Sequence, residues 1–81
     1  MTTVLFHEEQ LAFNGGVRRT EVDARDYRSC MAALLTLYPD LQQLDFSQYM
    51  VSIDGALVSS PFLEKLEPGS EMVFIKKIAA G

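Results

Sequence analysis

His7 and Cys30 are the chain's single histidine and single cysteine, the two side-chain types most often used as metal ligands or activated nucleophiles. A closed zinc site takes four nitrogen or sulfur ligands, and a Cys-His nucleophile needs a further group to orient its base. One of each is a thin basis for either chemistry. Cys30 stands beside Met31 in an apolar helical pattern, where a small buried hydrophobe is the ordinary role, and Arg25 and Arg28 are the nearby cations that would favour its thiolate. Glu8-Glu9 and the pair Asp23 and Asp26 form the carboxylate clusters, without an adjacent base or metal partner; Asp23 and Asp26 flank a helix start, where acids favour the positive helix end. Gly15-Gly16 lacks the following Gly-Lys-Ser/Thr of a phosphate loop and reads as a turn. The end of the sequence is different. Lys76-Lys77 is a basic spot in an acidic chain, and Ile78-Ala79-Ala80-Gly81 is slender and closes on a residue with no Cβ. A backbone of this kind passes through a narrow channel, so the pattern suits a main-chain carboxylate held out to another protein better than a side-chain active site.

The rest of the composition bounds that reading. A chain of 81 residues holds one hydrophobic core. Its apolar and charged fractions, 48% and 22%, are those of a globular protein that folds unaided. A net charge of −4 argues against nucleic acid, whose binding rests on Lys and Arg neutralising phosphates. The start, Met1 to Glu8, has no basic and apolar leader pattern, and no stretch approaches the roughly eighteen apolar residues of a membrane span. With one cysteine no internal disulfide forms, so the expectation is a cytoplasmic protein with no membrane partner, no bound cofactor and no metal.

The elements that must position the tail follow from periodicity. Thr3 to His7 is β-branched and apolar and reads as a first strand; Asn14-Gly15-Gly16 followed by Val17 to Val22 reads as a turn and second strand, the two strands forming a hairpin. Tyr27, Met31, Leu34, Leu35 and Tyr38 recur at intervals of three and four, the spacing of one buried helical face. Asp26 or Asp23 caps its start, and Pro39 ends it. Leu41 to Gln48 is an irregular connector with Leu41, Leu44 and Phe46 as anchors. Tyr49 to Ile53 and Ala56 to Ser59 then flank Asp54-Gly55, a strong hairpin turn. After Pro61, Phe62 to Leu66 offer a short helical turn, Glu67-Pro68-Gly69-Ser70 a reverse turn, and Glu71 to Ile78 the last strand. One helix joining strands in so small a chain must cover one face of a single mixed sheet of four or five strands. That is an α+β, β-grasp plan over residues 1–78 with a tail at 79–81; a ferredoxin-like fold would need a second full helix.

In pattern the chain resembles the small sulfur carriers of the MoaD/ThiS type, relatives of ubiquitin, over essentially its whole length. The likeness lies in the helix closing Leu34-Leu35-Thr36-Leu37-Tyr38-Pro39, in the strand-turn-strand Val51-Ser52-Ile53-Asp54-Gly55-Ala56-Leu57-Val58, and in Leu66-Glu67-Pro68-Gly69-Ser70-Glu71-Met72-Val73-Phe74 leading into the tail. The resemblance implies that the Gly81 carboxylate is adenylated by an E1-like enzyme using ATP, becomes a thiocarboxylate, and delivers sulfur at a synthase. It also implies that Phe74, Lys76, Lys77, Ile78, Ala79 and Ala80 form the segment the activating partner grips; because a tail alone buries too little area for a specific complex, the docking surface is expected to combine the sheet face near Tyr49, Val51 and Leu57 with the last strand. Two features depart from the family pattern: Ala80 stands where glycine is usual, and Lys76-Lys77 where molybdopterin-type carriers often have a proline pair. The chain is also similar, more faintly, to the amino-terminal domain of lambda-like phage tail-assembly proteins. That likeness implies a binding module whose contact surface includes Arg18-Arg19.

Overall fold

The structure, a computed structural model, describes residues 1–78. Five strands form one mixed sheet: β1 (Thr2–Leu5), β2 (Arg19–Val22), β3 (Tyr49–Ile53), β4 (Ala56–Val58) and β5 (Glu71–Lys76), in the order β2-β1-β5-β3-β4. β1 and β5 run parallel at the centre, with Val4 opposite Met72, and the other neighbours are antiparallel. The one α-helix among the described residues, α1 (Tyr27–Leu37), joins β2 to the later strands and covers one face.

Side chains alternate along each strand, and this decides what the helix covers. On β5, Met72 and Phe74 are buried while Val73 and Ile75 are only partly so; on β3, Tyr49 and Val51 are buried. They meet Val4 from β1 and Cys30 and Leu34 from α1 in one core cluster. The expected helix is present. Its N-terminal cap is Asp26, not Asp23: the Asp26 carboxylate accepts the Ser29 amide at 2.7 Å, and the Ser29 hydroxyl reaches back to the Asp26 backbone. At the other end the Tyr38 amide donates to the Leu34 carbonyl at 2.8 Å, and Pro39 opens a 3₁₀ turn (Pro39–Gln43) that brings Leu41 into the core. The second hairpin turns at Asp54-Gly55 with φ of 50° and 88°, left-handed values that aspartate tolerates and glycine adopts freely.

The first hairpin differs from its expectation. β1 and β2 do pair, but the connection is long and carries a 3₁₀ helix, Glu8–Phe13, before Asn14 and the two positive-φ glycines. β2 begins at Arg19 rather than Val17, and β5 ends at Lys76 rather than Ile78. The 3₁₀ helix is fastened at its start by a reciprocal pair: the Glu9 amide donates to His7 Nδ1 at 3.1 Å, and the His7 amide donates to Gln10 Oε1 at 2.8 Å. Gln10 is fully buried, and the segment packs against the 3₁₀ turn Pro39–Gln43.

Candidate functional site

β5 lies at the centre of the sheet, held on both sides by ladders, and it is the element that delivers the chain end. Beyond Lys76 one more main-chain bond forms, from the Lys77 amide to the Gln48 carbonyl at 2.8 Å. Lys77 and Ile78 then emerge, with Ile78 95% exposed. Ala79, Ala80 and Gly81, the expected reactive tail, lie outside the described residues.

The segment Phe74 to Ile78 is therefore not a uniform gripping surface. Phe74 is 2% exposed and stacks at 5.9 Å on Phe6, with Tyr49 and Phe46 on its other sides. It is a core residue. Contrary to the expected partner contact, strand alternation turns it toward the helix. Lys76 also points to the helix side, opposite Tyr49, but at the open end of the core. There its ammonium meets Glu9 Oε1 at 2.8 Å and lies 5.2 Å from the Tyr49 ring centroid. The Tyr49 hydroxyl donates to the same Glu9 oxygen at 2.8 Å. The bonds from Lys76 and then Tyr49 hold the Glu9 carboxyl below the usual carboxylate range, while burial, with the Glu9 bond second, pushes the Tyr49 phenol up to about 12. Both groups keep these forms at neutral pH.

Lys77 borders a recess of about 170 Å³ walled by Tyr27, Phe46, Tyr49, Pro61 and Phe62. Among the described residues its ammonium makes no hydrogen bond or ion pair, in contrast to its neighbour.

The expected docking face likewise differs from the sheet face left free by the helix. Tyr49 and Val51 face the helix, at 5% and 1% exposure, so they belong to the core; only Leu57 of that trio faces out, at 65%. The register replaces them with the alternate residues. Leu5, Val73, Ser52 and Leu57 stand side by side across β1, β5, β3 and β4, and Met50 pairs with Ile75 one step along. The face of the sheet away from the helix thus carries a largely apolar band across four strands, interrupted by Ser52 on β3, with Arg19 opposite Leu5 at its β2 margin.

The candidate side chains singled out in the sequence take structural positions. His7 Nδ1 is engaged by the Glu9 amide, and its ring lies edge-on to Tyr49. Cys30 is buried, and burial, with the Asp26 charge second, pushes its thiol up to about 11. Asp26 and Glu9 serve as a helix cap and an ion-pair partner. Among the described residues no three of His, Cys, Asp or Glu converge as a cation site, and no helix is long and apolar enough to cross a membrane.

No protein-family model matches the chain, and no curated protein matches it. Among solved structures it is similar to SAMP1 from Haloferax volcanii, with a TM-score of 0.70 over 99% of this chain and 98% of that one, at 17% sequence identity. The fold is ubiquitin-like. At this identity the likeness is one of architecture, and it accords with the strand order and the single helix already described.

Glu9 is the residue that sequence reasoning missed. In the chain it is one of two adjacent glutamates far from the lysine pair, and only the packing of the 3₁₀ helix on the end of β5 brings it to Lys76. A weak signal existed in the spacing of His7 and Gln10, a polar pair three apart before an apolar residue, which is the outline of a capped turn.

Proposed function

We propose that this chain is a sulfur carrier whose Gly81 carboxylate is charged by an E1-like enzyme. The observation that supports it best is the central β5 strand, which is paired with both β1 and β3 over its first half and with β3 up to Lys76, and which brings Lys77 and Ile78 out at the sheet end. A carboxylate is a poor acyl donor until it has a leaving group. In the reaction, a Gly81 carboxylate oxygen attacks the α-phosphorus of ATP, pyrophosphate departs, and an acyl-adenylate results. A sulfur nucleophile at the sulfide oxidation level, supplied by the partner's sulfur donor, then adds to the acyl carbon and displaces AMP, leaving a thiocarboxylate for transfer at a synthase. The chain's own side chains hold, orient and dock; the chemistry belongs to the partner.

A three-residue tail alone gives too small an interface for a specific complex, so the partner also needs a surface. The apolar band of Leu5, Val73, Met50, Ile75 and Leu57 supplies one next to the emerging strand. A ubiquitin-like module that only binds would use the same band without any charging of Gly81. Incubation with the E1-like enzyme of the same organism, ATP and a sulfide source, followed by intact mass, separates the two: a carrier gains about 16 mass units as sulfur replaces oxygen. Deleting Gly81 leaves the melting temperature unchanged and abolishes the gain. A wild-type protein that never acquires adenylate or sulfur removes the carrier reading and leaves the binding module.

A further inference from the structure

The two lysines where the tail begins are adjacent in sequence but hold unlike positions. Lys76 is tied to Glu9 Oε1, which the Tyr49 hydroxyl also reaches, and its ammonium lies 5.2 Å from the Tyr49 ring centroid. That ties three elements at one oxygen: β5 through Lys76, β3 through Tyr49, and the 3₁₀ helix through Glu9. Glu9 is itself set by its own amide on His7 Nδ1, and the helix is seated by the buried Gln10. Immediately after Lys76 comes the last ladder bond, Lys77 to Gln48. Lys77 side-chain nitrogen, by contrast, has no partner among the described residues and stands beside the recess.

A strand end frays because its final hydrogen bonds have no neighbour to share the cost of breaking. Peeling Lys76 and Lys77 off β3 would also break the bond to Glu9, so the cluster resists that motion. The direction of the last fixed residue matters, since each residue after it reaches at most about 3.5 Å and widens the range of positions the chain end samples. Fixing that direction raises the fraction of molecules ready to bind, and apparent affinity scales with this fraction.

We infer that Glu9 is a positioning residue for the carrier end: it holds Lys76 across Tyr49 and so fixes the line along which the chain leaves the sheet, while Lys77 is the lysine that an acidic surface of the activating partner reads. The inference rests on the carrier reading, and it divides the pair by role: Lys76 acts within the molecule and Lys77 between molecules.

Full-length wild type, Glu9→Ala, Lys76→Met, the double variant, Lys77→Met and the charge-swapped pair Glu9→Lys with Lys76→Glu test it through two readouts. The first needs no enzyme: exchange of the Lys77 amide with solvent and relaxation of the Ile78 amide by NMR. The second is pyrophosphate release by the E1-like enzyme as a function of carrier concentration. Glu9→Ala and Lys76→Met speed Lys77 amide exchange and raise KM about two- to fivefold, with little change in kcat and no further effect when combined. The charge swap restores both readouts. Lys77→Met raises KM independently of Glu9→Ala and leaves the exchange rate of residue 77 as it was. Unchanged exchange and KM in Glu9→Ala, or effects of Glu9→Ala and Lys76→Met that simply add, overturn the positioning role. If wild type is never charged, the carrier reading falls and the role of Lys77 with it, while the exchange data still decide whether Glu9 holds the strand end.

Discussion

Single residues in this molecule take their roles from which side of a strand or helix they occupy. Cys30 shows it most directly. Its position beside Met31 in an apolar helical pattern indicated a buried hydrophobe, and the structure seats it in the core with its thiol pushed up to about 11. At neutral pH under about one molecule in a thousand carries the reactive thiolate. The folded protein should therefore resist iodoacetamide at pH about 7.5 for hours and react within minutes once denatured in guanidinium, as read by intact mass. Phe74 is the opposite case. Val73, Phe74 and Ile75 are all apolar, so the letters alone do not say which of them faces the helix. The pairing of Val51 with Phe74 settles it, and a residue expected to touch a partner becomes part of the support beneath one.

At the scale of elements, the helix was the most legible part because its spacing, its capping aspartate and its terminating proline agree with one another. The same pattern predicts how it responds to truncation. Leu34 is fully buried and Leu37 is 55% exposed one turn on. Leu34→Ala should cost about 2–5 kcal/mol of unfolding free energy, and Leu37→Ala about 0.5 kcal/mol or less, measured by urea denaturation. Two elements were harder to read, for different reasons. The 3₁₀ helix Glu8–Phe13 is too short to show a period, and its reciprocal cap uses His7 and Gln10 in place of the common Ser or Thr with Glu. β3 was recognised as a strand, yet its facing was off by one residue: Tyr49, Met50, Val51 and Ile53 offer apolar candidates on both sides, and a shift of one exchanges the two faces completely. That single step separates the expected docking residues Tyr49 and Val51 from Met50 and Ser52, which stand on the face away from the helix.

For the molecule as a whole, stability should depend on pH through carboxylates spread over its surface. Asp26 is held below the ordinary aspartate value by the Ser29 amide, Asp45 by the Ser47 hydroxyl, Asp54 by the Glu71 amide, and Glu9 by Lys76. A carboxyl with a depressed pKa in the folded state stabilises the fold above its unfolded value, near 3.8 for aspartate and 4.5 for glutamate, and loses that contribution as pH falls through the lower folded value. The melting temperature should thus drop on acidification to about pH 3, and Asp54→Asn should give a lower melting temperature at pH 7 and a shallower fall. The overall plan was legible because a strand pair, a helix, a second strand pair and a last strand leave few ways to build one covered sheet.

The parallel pairing of β1 and β5 has a mechanical consequence. Met1 lies at the Gly69 end of that pair, where its carbonyl accepts the Gly69 amide at 3.0 Å, and Lys77 leaves from the other end. A force drawing Met1 and Lys77 apart would load the bonds between β1 and β5 together, in shear, instead of opening them one after another like a zip. A partner that tugs on the C-terminal end while the opposite end is tethered would therefore pull against several of these bonds at once.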